Sequence, residues 1–320
     1  MKQLSFTDLI CDDLGRVEDL LRERYPGQHE AIGVAVDHLV GGGGKRLRPA
    51  LVILSAHLCG AEMAQAVFVA AAVEMLHTAT LIHDDLIDGA LVRRGMETLN
   101  VHWSPSVTVL TGDYAFAYAA YLAARADSVQ VMQRFSETLM VICNGEIQQM
   151  FNGHGPLDRQ EYEQRIYAKT ASLLVLSAES GSILAGTEES MTMALRTYGE
   201  QLGMAFQIVD DVLDFVADEG VLGKSVGSDL QQGLVTLPLL LFLQAEPEQP
   251  AVRQALRGNS SRDLRQEAVQ IVAGSPAIEQ ALAVARGHAD QAKQALNGFS
   301  ESRYRTALLE LADFTVRRRF

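Results

Sequence analysis

Two clusters of aspartate interrupt apolar stretches of this 320-residue sequence. In the first, "LIHDDLID", Asp84 and Asp88 are four residues apart, so on a helix both carboxylates project from one face, while Asp85 lies about a hundred degrees away. Like charges one turn apart repel, and burying them unpaired is costly, so we expect a cation between them. Mg²⁺ prefers a few carboxylate oxygens and completes its shell with water and phosphate, which predicts a magnesium site.

The second cluster, "FQIVDDVLDF", repeats the pattern more than a hundred residues later. On a helix, Gln207, Asp211 and Asp214 share one stripe and Asp210 lies beside it. A solvated acidic helix end is the ordinary explanation of one such motif, but it does not explain a second copy inside an apolar segment. We therefore expect two facing clusters that hold several Mg²⁺ ions on one polyanion.

Basic residues next to glycine loops and to the aspartates would bind such a polyanion. Arginine matches phosphate oxygens with two hydrogen bonds at once, and glycine lets backbone N–H groups approach them. Each residue alone is more often a solvated surface charge, but their joint placement favours a diphosphate site. The candidates are Lys45, Arg46, Arg48, Arg93, Arg94, Lys169 with Thr170, and Lys224, and His77 lies one heptad before Asp84.

The segments that carry these residues are predicted to be helices. Apolar residues recur every three or four positions in residues 61–87, 107–124, 129–151, 159–184 and 191–215, and strand-like alternation is nearly absent. The eight prolines leave long intervals in which helices are uninterrupted. We predict an all-α bundle of ten or more helices that forms a single domain over residues 1–320.

Composition excludes several classes of protein. A net charge of −13 disfavours binding to nucleic acid and to anionic membranes. Cys11, Cys59 and Cys143 are odd in number and widely spaced, which argues against disulfides or a zinc site and favours the cytoplasm. The acidic N-terminus lacks the features of a signal peptide, and no apolar run reaches the ~18 residues of a transmembrane helix.

Taken together, the motifs resemble those of the trans (head-to-tail) polyprenyl diphosphate synthases. The resemblance covers about residues 41–240 and rests on "GGGGKRLRP", "EMLHTATLIHDDLID" with "RRG", "KTASLL", "FQIVDDVLDF" and "LGKSVGSDL" with "TLP". It implies an isoprenoid synthase fold around a central cavity, a homodimer, and three Mg²⁺ ions with substrate bound. It also implies the reaction, in which an allylic diphosphate ionises and isopentenyl diphosphate adds to the cation.

The resemblance also implies a role for each motif residue. The metal-binding carboxylates would be Asp84, Asp85, Asp88, Asp210, Asp211 and Asp214. The allylic diphosphate would be bound by Arg93, Lys169 and Lys224. Isopentenyl diphosphate would be bound by Lys45, Arg48, His77 and Arg94. Thr170 and Gln207 would lie near the developing cation, where their oxygen dipoles stabilise it, and the departing diphosphate would take the proton.

The sequence departs from the family at one position. Leu234 in "GLVTLP" replaces the usual lysine, so one cation is missing from that loop. Because Lys224 is retained, we expect an active enzyme with weaker closure over the diphosphate. The C-terminal "VRRRF" is interpreted as a solvated terminus, the alternative being a cover for the isopentenyl diphosphate site.

Product length depends on the residues that precede Asp84. A growing chain would run from the metal site between apolar helices, so side chains one turn earlier form its floor. These are Ala79 and Thr80, which are small, so the tunnel should continue past Leu76. The sequence predicts an all-trans product of about C30 or longer, and a C15–C20 product is the alternative.

Three other functions compete with this one. A terpene cyclase of the same fold has one aspartate-rich motif and a different second metal motif. A non-catalytic partner subunit of such a synthase typically lacks aspartates that are all present here, and only Leu234 supports that reading. A di-metal oxidoreductase needs Glu-x-x-His pairs, which we do not find.

Overall fold

The computed structural model describes residues 5–41, 46–93, 95–152, 158–216, 227–256 and 261–318, and these are mostly helical. The helices are α1 (Ser5–Leu9), α2 (Cys11–Arg22), α3 (Glu30–Gly41), α4 (Leu47–Cys59), α5 (Met63–Ile87), α6 (Leu99–His102), α7 (Pro105–Ala124), α8 (Val129–Asn152), α9 (Arg159–Ile166), α10 (Ser172–Ala185), α11 (Glu189–Val216), α12 (Ser228–Gln231), α13 (Leu237–Ala245), α14 (Pro250–Leu256), α15 (Arg262–Ala273), α16 (Ala277–Ala295) and α17 (Arg303–Arg317). A π-helix (Tyr167–Ala171), a 3₁₀ turn (Leu296–Gly298) and one antiparallel pair, β1 (Val92–Arg93) and β2 (Met96–Glu97), complete the described elements. The predicted all-α fold is confirmed.

The chain forms two compact units, each built from three separate stretches. Unit 1 comprises Met1–Thr138, Leu173–Thr197 and Leu296–Glu310, and unit 2 comprises Leu139–Ser172, Tyr198–Ala295 and Leu311–Phe320. Because both units use stretches from the two halves of the sequence, no single cut would separate them. The single domain over residues 1–320 stays a prediction.

Helix α5 is the core of unit 1. Small side chains such as Ala70, Ala71 and Ala72 are fully buried, which lets α4 and α7 pack closely against it. On α7, a Cβ added to Gly112 would lie 2.2 Å from the His83 ring, so only glycine permits this approach. By length and composition α5 is also apolar enough to cross a membrane, although 72% of its most apolar window is buried in the protein.

The C-terminal end of α5 places the first acidic cluster. The helix ends at Ile87, the Asp88 N–H bonds to the Asp84 carbonyl, and Gly89 follows with φ +61°. Asp84 therefore lies in the last turn of α5 and Asp88 lies just after it, at the end where the helix dipole is negative. Carboxylates are disfavoured at that end, so their charges need a cation to offset them.

Unit 2 packs around the second half of α11. Its buried side chains Ile208 and Val212 belong to one apolar cluster with residues of α13, α15 and α16. The π-helix lies against α11 at a point where Gly203 has no side chain, and a Cβ there would lie 2.5 Å from the Cα of Ala171. This close contact sets the position of the π-helix, which carries Lys169 and Thr170.

Candidate active site

The first acidic cluster separates two accessible carboxylates from a buried one. Asp88 is exposed and Asp84 is partly exposed, whereas Asp85 is only 4% exposed. Arg93 donates its Nε to the Asp85 carboxylate at 2.6 Å. Burial raises the pKa of Asp85, and the Arg93 guanidinium opposes that rise. Asp84 and Asp88 are thus the two carboxylates of this cluster that solvent reaches.

The β1–β2 hairpin that follows is tied to the end of α5. Asn100 donates to the Asp85 carbonyl at 2.7 Å, and Thr98 donates to the Ala90 carbonyl at 2.6 Å. These bonds hold β1, and with it Arg93, beside the cluster. The guanidinium is 36% exposed, so its role in binding the allylic diphosphate stays a prediction. Arg94 lies outside the described residues.

The glycine-lysine-arginine segment is only partly described, because Lys45 lies outside the described residues. Arg46 has φ +46° at the start of α4 and bonds to the carboxylates of Glu18 and Glu74, the latter at 2.7 Å. Its side chain is 17% exposed, so it links α2, α4 and α5 and does not face solvent as a phosphate ligand would. A diphosphate role for Arg46 stays a prediction, and these carboxylate contacts do not support it. Arg48 and His77 are partly buried, in α4 and α5, and their roles stay predictions.

The second acidic cluster, on α11 in unit 2, also divides into accessible and buried members. The Asp210 side chain is 36% exposed, whereas Asp211 and Asp214 are 3% and 1% exposed. Asp214 accepts hydrogen bonds from the Ser228 hydroxyl at 2.7 Å and from the Asp229 backbone N–H at 3.1 Å. Asp210 is therefore the most accessible member of the cluster, although Arg318 lies 2.9 Å from its carboxylate. Metal roles for Asp210, Asp211 and Asp214 stay predictions that require these bonds to be exchanged.

Asp211 lies at the centre of a buried hydrogen-bond network. It accepts from the Tyr162 hydroxyl at 2.7 Å and from the Gln207 side-chain nitrogen at 2.8 Å. The Gln207 oxygen in turn accepts from the Thr170 hydroxyl at 2.6 Å. Burial, more than any charge, raises the pKa of Asp211 well above its ordinary value. The structure thus joins the predicted pair Thr170 and Gln207.

The π-helix carries the "KT" motif between two glycines. A Cβ on Gly145 of α8 would lie 2.5 Å from the Cβ of Ala168, and Gly203 makes the matching approach from α11. The Lys169 ammonium lies 2.9 Å from the Glu146 carboxylate, and its side chain is 43% exposed. Single π-helical turns are rare and often mark functional sites. Lys169 is accessible, as its predicted diphosphate role requires.

The C-terminal arginines were interpreted as part of a solvated terminus, but one of them is buried. Arg317 is exposed, but the Arg318 side chain is 3% exposed and lies 2.9 Å from the Asp210 carboxylate. It also donates to the Phe206 carbonyl at 2.6 Å and stacks on the Phe206 ring at 3.8 Å. The interpretation was wrong for Arg318 because burial on Phe206 and pairing with Asp210 outweigh its hydration.

The residues predicted to limit product length lie in unit 1. Leu76 and Ala79 are fully buried, and the Thr80 hydroxyl donates back to the His77 carbonyl at 2.8 Å. Because this bond uses the hydroxyl proton, Thr80 contacts its surroundings with its methyl group. In unit 2, Leu234 is partly buried and its N–H donates to the Asp229 carbonyl at 2.8 Å, while Lys224 lies outside the described residues.

Sequence reasoning missed the protein partners of the predicted residues, among them Tyr162, Glu146, Asn100, Ser228 and Arg318. Only Tyr162 could have been recognised from the sequence, because it precedes the "KT" motif by one heptad. A tyrosine that is buried there normally needs a hydrogen-bond partner. Glu146, Asn100 and Arg318 lie in stretches whose composition is ordinary for helix surfaces and termini.

Comparison with known proteins identifies the class to which this fold and these clusters belong. The sequence model of the polyprenyl synthetase family matches residues 29–272. The chain therefore belongs to the polyprenyl synthetase family, and it is a trans-prenyltransferase, as the resemblance implied.

Individual relatives agree over nearly the whole chain. The octaprenyl diphosphate synthase of Haemophilus influenzae is 35% identical over 98% of this chain and 96% of its own length. A short chain isoprenyl diphosphate synthase of Methanothermobacter thermautotrophicus is 38% identical over 89% of each. The solved polyprenyl synthase of Caulobacter crescentus, complexed with calcium and isoprenyl diphosphate, is 37% identical with a TM-score of 0.94 over 98% of this chain and 97% of that one.

Proposed function

We propose that the protein is a Mg²⁺-dependent, cytoplasmic enzyme that condenses isopentenyl diphosphate with an allylic diphosphate to give an all-trans polyprenyl diphosphate of about C30 or longer. The observation that carries the metal part is the first acidic cluster. Asp84 and Asp88 end a 25-residue apolar helix with accessible carboxylates at its negative pole. That donor set of hard oxygens fits Mg²⁺.

Asp84 and Asp88 would hold Mg²⁺ in unit 1, and Asp210 would do so in unit 2, in each case together with phosphate oxygens. When bound, Mg²⁺ neutralises diphosphate and makes it a leaving group. Arg93, Lys169 and Lys224 would bind the allylic diphosphate and Lys45, Arg48, His77 and Arg94 isopentenyl diphosphate, and Asp85 would keep Arg93 in place.

Thr170 and Gln207 would stabilise the developing cation with oxygen dipoles that are already oriented before the reaction. Their mutual hydrogen bond fixes which atoms each presents. The departing diphosphate would remove the proton from the condensed product. Leu234 supplies no charge to its loop, so binding of the allylic diphosphate would be weaker there than with lysine.

Long-chain products are supported by the side chains before Asp84. Ala79 is small and fully buried, and Leu76 one turn earlier is aliphatic, so neither of these two residues places an aromatic ring in the predicted path. The similarity to an octaprenyl diphosphate synthase favours the same class. The similarity to a short chain synthase keeps a C15–C20 product as the second candidate.

A homodimer is proposed from the surface of α7. Val107, Val109 and Leu110 are 41%, 40% and 66% exposed on one short segment of that helix. Contiguous exposed apolar patches are typical of protein–protein interaction sites. A second copy of the chain is the partner that the family resemblance implies.

The test is an assay of the purified protein with Mg²⁺, isopentenyl diphosphate and a C15 allylic diphosphate. We expect diphosphate release that stops when EDTA removes the metal, and a product of about C30 or longer by mass spectrometry. Asp84→Ala should lower kcat by several orders of magnitude, since it removes a metal ligand. Absence of diphosphate release from the folded wild-type protein would refute the proposed activity, and a C15–C20 product would select the second candidate.

A further inference from the structure

A continuous chain of hydrogen bonds in unit 2 joins Tyr162 to Thr170. Tyr162 donates to one Asp211 oxygen at 2.7 Å, Gln207 donates to the other at 2.8 Å, and Thr170 donates to Gln207 at 2.6 Å. Tyr162, Asp211 and Thr170 are 1%, 3% and 6% exposed. Three of the four side chains are therefore shielded from water, and Gln207 between them is partly buried.

The structure gives the direction of the two bonds made by Gln207. Its amide nitrogen faces Asp211 and its amide oxygen faces Thr170. The Thr170 hydroxyl must then donate to that oxygen, and its remaining hydrogen-bonding capacity is its lone pairs. An oxygen in this state stabilises a nearby positive charge, and its proton is already committed.

Tyr162 holds the far end of this chain. Without its hydroxyl, one buried Asp211 oxygen would lose its donor, and the carboxylate would be free to rotate away from Gln207. The Tyr162 hydroxyl lies 2.7 Å from this oxygen on a side chain that is 1% exposed, so packing holds it in place. The tyrosine thus anchors the carboxylate that orients Gln207.

We propose that Tyr162 is a positioning residue for prenyl transfer, which acts through Asp211 and Gln207 to keep the Thr170 oxygen oriented towards the developing cation. The inference rests on the proposed function, because the orientation of Thr170 matters only if a cation forms beside it. It gives Asp211 a purpose inside the protein that differs from metal binding.

The first test compares Tyr162→Phe with Tyr198→Phe, which removes a hydroxyl from another fully buried tyrosine of unit 2. We expect Tyr162→Phe to lower kcat about tenfold, with KM for both diphosphates and the Mg²⁺ concentration for half-maximal rate unchanged. Tyr198→Phe should leave kcat unchanged. Thermal unfolding of both variants shows how much of any loss is due to stability.

The second test is a double-mutant cycle with Gln207→Ala. If Tyr162 acts through Gln207, adding Tyr162→Phe to Gln207→Ala should cause little further loss of kcat. The inference is overturned if the losses of kcat in the two single variants multiply in the double variant, or if Tyr162→Phe is as active as Tyr198→Phe. A raised Mg²⁺ requirement in Tyr162→Phe would also overturn it, because the tyrosine would then serve a metal ligand. An inactive wild-type protein would instead refute the proposed function.

Discussion

At the scale of single residues, each acidic cluster contains members with different environments. Asp84, Asp88 and Asp210 reach solvent, whereas Asp85, Asp211 and Asp214 are buried and bonded to protein groups. The spacing in the sequence predicted which residues share a helical face. It did not predict which of them would find a protein partner, because Arg93, Tyr162 and Ser228 come from other elements.

Ala79 is the residue whose size should set product length. Ala79→Phe would place an aromatic ring on the predicted floor of the tunnel, so the product should shorten, as mass spectrometry of the extracted prenyl diphosphates would show. Ala66→Phe is the matched control, since it overpacks another fully buried alanine of α5 far from Asp84. The account of chain length is wrong if Ala79→Phe and wild type give the same distribution.

Glu179 on α10 makes the stability of the protein depend on pH. It is 2% exposed, one of its oxygens has no hydrogen-bond partner among the described residues, and Arg134 lies 3.8 Å from the other. Burial raises the pKa of Glu179 from 4.5. The guanidinium groups of Arg196 and Arg134 lower this pKa, and the carboxylates of Glu137 and Glu189 raise it further. The native state therefore holds this proton above pH 4.5, where the unfolded chain loses it.

The free energy of unfolding should therefore fall as pH rises from 4.5 through the raised pKa that Glu179 has in the native state. Glu179→Gln removes this effect, so its stability relative to wild type should increase with pH, measured by urea unfolding between about pH 5 and 8. Glu188→Gln, at an exposed position, is the control and should track wild type. A stability difference that does not change with pH would contradict the explanation.

At the scale of elements, the position of the π-helix depends on glycine. Gly203→Ala would force a Cβ to within 2.5 Å of the Ala171 backbone, so α11 and the π-helix must separate. We expect a loss of about 1–3 kcal/mol in unfolding free energy and a lower kcat, because Thr170 moves with the π-helix.

Gly287→Ala on α16 is the matched control. An added Cβ there meets no atom within 4 Å, so this helical Gly→Ala change should stabilise by up to ~1 kcal/mol and leave kcat unchanged. Both variants are measured by denaturant unfolding and steady-state kinetics. Equal effects of the two substitutions would show that close packing at Gly203 does not set the position of the π-helix.

The sequence predicted the long helices well, because periodicity and the scarcity of proline act locally. Residues 61–87 were expected to be helical, and α5 covers Met63–Ile87. The π-helix was not foreseen, since it arises where Gly145 and Gly203 let neighbouring helices approach. Arg46 was a candidate because a basic side chain after glycines suits phosphate binding, and only the fold shows Glu18 and Glu74 beside it.

At the scale of the whole molecule, the proposed dimer makes a direct prediction. Leu110→Asp puts a charge on the exposed apolar segment of α7, so it should convert a dimer to a monomer in analytical ultracentrifugation. Val34→Asp, at a 60% exposed position on α3, should leave the mass unchanged. A Leu110→Asp protein that sediments like wild type would exclude this segment from the interface.

The order of the two units along the chain has a consequence for truncated forms. The stretch Leu296–Glu310 belongs to unit 1 and Leu311–Phe320 to unit 2, so one continuous segment contributes to both units. Arg318, the partner of Asp210, lies in that segment. A form of the chain cut before residue 296 would therefore carry both aspartate motifs in its sequence but would lack part of each unit and the arginine that pairs with Asp210.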